Sequence, residues 1–114
     1  MHDKSCGICR LLETYARGEI VPEIIYESEQ WLAVHSTKPF AETHVFIAAK
    51  PHIPTVFGLG ASDNDLVLDM MKAVTAAAKE VIALRGACKL EMYLGEFQNT
   101  KHLHCHVIYD KSID

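Results

Sequence analysis

The segment that most restricts the fold is His102-Leu103-His104-Cys105-His106-Val107-Ile108-Tyr109, near the end of the chain. An extended strand sends successive side chains to opposite faces. On a strand over His102–Tyr109, the imidazoles of His102, His104 and His106 share one face, while Leu103, Cys105 and Val107 share the other. The apolar side reads as core-facing, and Cys105 fits it as a small buried hydrophobe. Three crowded imidazoles do not all hold a proton near neutral pH. At least one is therefore neutral, as a nucleophile or a metal ligand must be. Alternate residues of a strand lie ~7 Å apart, a poor match to one tetrahedral ion. Separate roles for the three rings follow.

The rest of the chain supplies partners for that strand. Leu11, Leu12, Tyr15 and Ala16 recur at helical spacing and predict a helix over Ile8–Arg17, with Gly18 at its C-terminal end. Ile24–Tyr26 and Trp31–His35 are strand-like, with Ser28, Glu29 and Gln30 as the turn between them. His44–Ala49 is a third apolar run, ended by Pro51 and Pro54. Ser62, with Asp65 three residues later, precedes the longest periodic segment: Val67, Met70, Met71, Val74, Ala78, Val81 and Ile82, stopped by Gly86. Its methionines read as packing. Leu90–Leu94 is the fourth strand. Five strands and two helices with few helical crossovers predict one α+β domain over residues 1–114, built on an antiparallel sheet.

Composition excludes several function classes. The chain has 114 residues and a net charge of -4, so it lacks the basic excess of a nucleic-acid coat. It contains no run of the ~18 to 20 apolar residues that span a bilayer. Met1-His2-Asp3-Lys4-Ser5 leads into no signal-peptide pattern, which predicts a reducing, cytoplasmic setting. Four cysteines there point to metal binding or burial rather than disulfides.

Two further segments carry chemistry. Cys6-Gly7-Ile8-Cys9 is a Cys-x-x-Cys ahead of a helix, without the strand–helix–strand setting of a redox pair. As half of a zinc site it needs two distant ligands, and His52 and His102 are available. Reduced, metal-free thiols are the alternative, and Cys88 reads as a core thiol. The loop Gly95-Glu96-Phe97-Gln98-Asn99-Thr100-Lys101 places amides, a hydroxyl and a cation ahead of the imidazoles, a set able to hold phosphate oxygens.

Taken with Thr43-His44-Val45-Phe46-Ile47-Ala48-Ala49-Lys50-Pro51-His52-Ile53, with Glu23–Glu27 and with Trp31–His35, the His-x-His-x-His run resembles the histidine triad (HIT) family of nucleotide hydrolases and transferases. The resemblance implies a five-stranded antiparallel sheet with two helices, assembled as a homodimer that acts on a small nucleotide. It implies His104 as nucleophile at the α-phosphorus, His106 on the phosphate oxygens, and Gln98 and Asn99 beside them. Similarity to zinc-containing members implies Cys6, Cys9, His52 and His102 as ligands of a structural zinc. Ser36 stands where the family usually has an Asp for the ribose hydroxyls, so Ser36 and Thr37 are the expected contacts there. The Asn usual before the triad is also missing. Those departures sustain a rival expectation, a nucleotide-binding or regulatory module with little catalysis; a third is a zinc-dependent enzyme whose metal does the chemistry. His44 has no assigned role.

Overall fold

A computed structural model describes residues 5–111. Its elements are α1 (Gly7–Ala16), β1 (Ile24–Glu27), β2 (Trp31–His35), β3 (Thr43–Ala49), α2 (Asn64–Arg85), β4 (Lys89–Glu91) and β5 (His104–Tyr109). Single 3-10 turns lie at Val56–Gly58, Ala61–Asp63 and Gly95–Phe97. The strands form one antiparallel sheet in the order β1-β2-β3-β5-β4. This is the expected α+β architecture. Among the described residues no helix is long and apolar enough to cross a membrane.

The sheet is covered on both sides, so period-two alternation buries both faces of its central strands. Trp31 and Ala33 of β2, Val45 and Ile47 of β3, and Cys105 and Val107 of β5 pack under α2. Leu32, Val34 and Ala48 face the other way, against Cys6, Ile8, Cys9 and Leu12 of the α1 region. The helix and the histidines therefore occupy the same side of the sheet. Ser28 closes the β1–β2 hairpin as expected, its hydroxyl oxygen accepting the N–H groups of Gln30 and Trp31 at 3.2 and 3.0 Å. Tyr26 and Ser28 both donate hydroxyl hydrogens to Asp69, tying the hairpin to α2.

Four details differ from the sequence reading. The buried stripe of α2 is Leu66, Ala73, Val74, Ala77 and Val81, whereas Met71 and Ile82 are exposed. Two alanines, light in hydrophobic weight, line the contact and let the helix lie against the sheet. Asp63, not Ser62, precedes α2; its carboxylate accepts the Gly60 N–H at 2.8 Å and closes the preceding turn. β4 ends at Glu91, because the chain turns away into a 3-10 turn begun by Gly95 at φ +63°. β5 begins at His104, so His102 precedes the strand. At the far end of α2, Gly86 adopts φ +89°, and its N–H bonds Ile82 O at 2.7 Å, as a C-terminal glycine should.

Candidate active site

β3 and β5 build the site because their register sets Phe46 opposite His106 and Ala48 opposite His104. The His104 and His106 rings stand edge to face with centroids 5.2 Å apart, closer than the backbone spacing suggests. Phe46 packs against both at 5.6 and 5.9 Å. His44, one position earlier on the same face as Phe46, brings its Nε2 to 2.8 Å from His106 Nδ1. Phe40 lies over the His44 ring at 4.2 Å, and Tyr93 lies 5.4 Å from the His106 ring.

Hydrogen bonds assign a proton to each ring. His102 Nε2 lies 2.6 Å from Ala49 O, which can only accept, so Nε2–H donates and Nδ1 carries a lone pair. His104 Nδ1 lies 2.5 Å from His102 O, so Nδ1–H donates and Nε2 carries the lone pair. His44 Nδ1 accepts the Phe40 N–H at 3.3 Å. In neutral His44 the proton is then on Nε2, which donates to His106 Nδ1. His106 in turn keeps its own proton on Nε2, as a donor. His104 and His106 each have one nitrogen anchored and the other left over, whereas both nitrogens of His44 are engaged.

Burial keeps these rings neutral. It lowers the His104 pKa below the ordinary 6.5, against the opposing pull of the His102 carbonyl. Burial, then the neighbouring His104 and His44 rings, push His106 down to about 4. His44 is lowered by burial, with the Glu91 carboxylate acting the other way. Tyr93 is pushed up to about 12 by burial and by its hydrogen bond to Glu91.

A cleft of about 400 Å³ opens beside His44 and His106. Leu32, Val34 and Phe46 form its floor, and Leu11, Leu12 and Tyr15 of α1 form a wall. Ser36, Thr37 and Lys38 form its rim. The expected contacts Ser36 and Thr37 thus lie in the same cleft as His106. Gln98 and Asn99 lie elsewhere: the Gln98 amide donates to Pro54 O at 2.7 Å, and Asn99 borders a separate pocket with Cys6, His52 and Lys101. The Lys101 ammonium is engaged by Gly95 O and Gln98 O at 2.9 and 3.0 Å. His44, Phe40, Tyr93 and Lys38 are site residues that the sequence reading did not identify.

The four expected metal ligands converge. Ligand atoms of Cys6, Cys9, His52 and His102 all lie within 4.8 Å of one another. His102 Nδ1 is 3.4 Å from both Cys6 Sγ and Cys9 Sγ, and 3.3 Å from His52 Nδ1; Cys9 Sγ is 3.2 Å from His52 Nδ1. A tetrahedral ion with bonds of about 2.0 and 2.3 Å separates its ligand atoms by roughly 3.3 to 3.8 Å. The donor set therefore fits a four-coordinate ion. The Ala49 carbonyl fixes the His102 tautomer that such an ion requires, and Cys9 N–H bonds Cys6 Sγ at 3.3 Å.

Comparison with known proteins gives concordant matches. The family model described as "Scavenger mRNA decapping enzyme C-term binding" matches residues 9–113. The bifunctional adenosine 5'-phosphosulfate phosphorylase/adenylylsulfatase HINT4 of Arabidopsis thaliana is 26% identical over 105 residues, covering 91% of this chain and 69% of that protein. The adenosine 5'-monophosphoramidase HINT3 of Danio rerio is 30% identical over 109 residues, covering 93% of this chain and 65% of that protein. The chain thus spans about two thirds of the length of these relatives. A solved histidine triad protein from Clostridium difficile superposes with a TM-score of 0.77 at 25% identity, over 100% of this chain and 97% of that one.

Proposed function

Because the chain belongs to the histidine triad family, we propose that it is a nucleotidyl hydrolase or transferase working through a covalent intermediate on His104. The observation that carries this reading is the pattern of anchored protons. His104 offers an Nε2 lone pair while its Nδ1–H is held by a carbonyl, and the adjacent His106 keeps an Nε2–H as a donor. As His104 Nε2 bonds to phosphorus, the bond to the leaving group breaks, and that group takes the electron pair and acquires a proton from solvent. The imidazole becomes cationic, and the His102 carbonyl stabilises the Nδ1–H of the adduct. His106 Nε2–H holds a phosphoryl oxygen as charge gathers there. Water then attacks phosphorus, the bond to Nε2 breaks with its electron pair returning to the ring, and the proton of the water passes to solvent, which restores neutral His104.

The substrate in this reading is a small nucleotide: a nucleoside phosphoramidate, a dinucleoside polyphosphate or a related ester. The phosphoramidase activity of the Danio rerio relative supports the first of these, and the adenosine 5'-phosphosulfate activities of the Arabidopsis relative support a 5'-substituted adenosine phosphate more broadly. Zinc is the proposed metal, held by Cys6, Cys9, His52 and His102; four protein ligands leave no open position, so its contribution is structural. The reading also includes a cytoplasmic homodimer that binds neither membrane nor nucleic acid. Exposed Leu90 on the edge strand β4 supports pairing of copies there.

The test is rapid quenching during turnover of adenosine 5′-phosphoramidate, with intact-mass measurement of wild type and His104→Ala. Wild type is expected to hydrolyse the substrate and to carry a nucleotidyl adduct, and His104→Ala to do neither. Turnover by His104→Ala at the wild-type rate, without an adduct, overturns the mechanism. The second reading, a nucleotide-binding module, is favoured because none of the described residues lining the cleft is a carboxylate able to accept ribose hydroxyls. Binding without turnover in wild type would select it.

A further inference from the structure

Among the described residues the cleft beside His106 is lined by a single full charge, that of Lys38, and by no Asp or Glu to offset it. Among the described residues the Lys38 ammonium makes no ion pair and no side-chain hydrogen bond. The Ser36 hydroxyl oxygen accepts the Lys38 backbone N–H at 3.2 Å, which leaves the hydroxyl hydrogen to donate. Thr37 adds a second hydroxyl at the rim. This corner therefore presents one cation and two donors without a carboxylate, the chemistry of an anion site.

Its place in the molecule narrows the anion. The Ser36 backbone N–H bonds His44 O at 2.8 Å, so the corner is fixed to the residue that touches His106. The phosphorus under attack already has His104 and His106, and does not need Lys38. His104 is not part of the cleft wall, so a leaving group departs on the His104 side while the nucleoside occupies the cleft. The apolar floor of Leu32, Val34 and Phe46 suits the flat face of a base. Between base and reacting phosphorus lies the ribose.

Resting on the reading that a nucleotide is attacked by His104, we propose that the preferred nucleotide carries a second phosphate on its ribose, at the 2′ or 3′ position, held by Lys38, Ser36 and Thr37. A plain ribose presents hydroxyl hydrogens that a carboxylate would match best, and no described residue lining the cleft supplies one. A ribose phosphate presents oxygens that match all three groups.

The test is isothermal titration of the whole chain with adenosine 5′-monophosphate, adenosine 2′,5′-bisphosphate and adenosine 3′,5′-bisphosphate. At least one bisphosphate is expected to bind about tenfold more tightly than the monophosphate. Which one does so identifies the position. Lys38→Met is expected to reduce that ratio to near one, while Lys38→Arg retains most of it and shows that the fold tolerates substitution there. Equal affinities, no binding of any of the three, or a ratio that survives Lys38→Met overturns the proposal. Hydrolysis of adenosine 5′-phosphoramidate with adduct formation is scored separately. Turnover without a bisphosphate preference rejects the ribose-phosphate site alone, and a preference without adduct or turnover rejects the hydrolase reading alone.

Discussion

Replacing His44 with Leu tests the relay of hydrogen bonds that holds the His106 proton on Nε2. The leucine is apolar and fits the buried position, but it removes the Nε2–H that lies 2.8 Å from His106 Nδ1 and the acceptor of the Phe40 N–H. Stranding one acceptor in a buried setting costs ~1–3 kcal/mol. For a domain of this size that predicts a drop in melting temperature of about 4 °C per kcal/mol. The catalytic effect has a different origin. With Nδ1 released, His106 rotates and its other nitrogen leaves the phosphoryl oxygen. Deleting one such donor outright costs roughly 10²–10³ in kcat. A ring that is displaced rather than deleted should cost about 10- to 100-fold, with KM changed far less. His44→Gln is the decisive companion, since its amide N–H reaches the position of imidazole Nε2 and can donate to His106. It should recover at least half of the logarithmic loss. Steady-state kinetics on adenosine 5′-phosphoramidate, with thermal melts of both variants, measure all of this. Wild-type kcat in His44→Leu, or no recovery in His44→Gln, refutes the relay.

Two other outcomes follow from the same geometry. In the fold His106 takes up a proton only near pH 4, against 6.5 ordinarily. Between those values the unfolded chain holds more protons, so this stabilisation is complete above about 6.5 and is lost as pH falls toward 4. It amounts to at most about 3 kcal/mol, and less where solvent enters the cleft. Urea melts across that window should show His106→Gln losing stability less steeply than wild type, and equal slopes would contradict the assignment. For the metal, elemental analysis should find about one zinc per chain in wild type and in His104→Ala, and almost none in Cys9→Ser. Chelation should lower stability by at least about 3 kcal/mol. An unchanged melting curve after zinc removal would exclude a structural role.

What the sequence disclosed was whatever a local rule encodes. The two faces of His102–Tyr109 follow from period-two alternation, and β5 keeps them: Cys105 and Val107 pack under α2, while His104 and His106 face the side covered by α1. The convergence of Cys6, Cys9, His52 and His102 was legible only through family resemblance, because the ligands are separated by up to 96 residues. His44 was quoted in a motif but given no role, since its work depends on the β3–β5 register, which no local pattern encodes. The misplaced stripe of α2 has a different cause. Weighting by hydrophobic size favoured Met71 and Ile82 over Ala73 and Ala77, whereas close approach to a sheet selects small residues. Gln98 and Asn99 matched in sequence order, yet the turn begun by Gly95 directs one to Pro54 and the other to the pocket beside the metal ligands.

The proposed metal and the proposed chemistry are linked through two carbonyls and one helix. His102 holds Nδ1 toward the cysteines because Ala49 O takes its other proton, and the carbonyl of the same residue takes the Nδ1 proton of His104. A shift of His102 would therefore disturb the metal ligands and the nucleophile's tautomer together. On the other side of the cluster, Cys6 is the N-cap of α1, and Leu11, Leu12 and Tyr15 of that helix wall the cleft. An ion held by Cys6 and Cys9 would thus fix the end of the helix that walls the cleft, without itself lining that cleft. A buried, closed coordination site is suited to that task, because it constrains position without exposing a reactive metal to a phosphate-bearing substrate. In the proposed mechanism the separate roles expected for the three imidazoles form one connected arrangement: His102 would orient, His104 would attack, and His106, held by His44, would steady the charge.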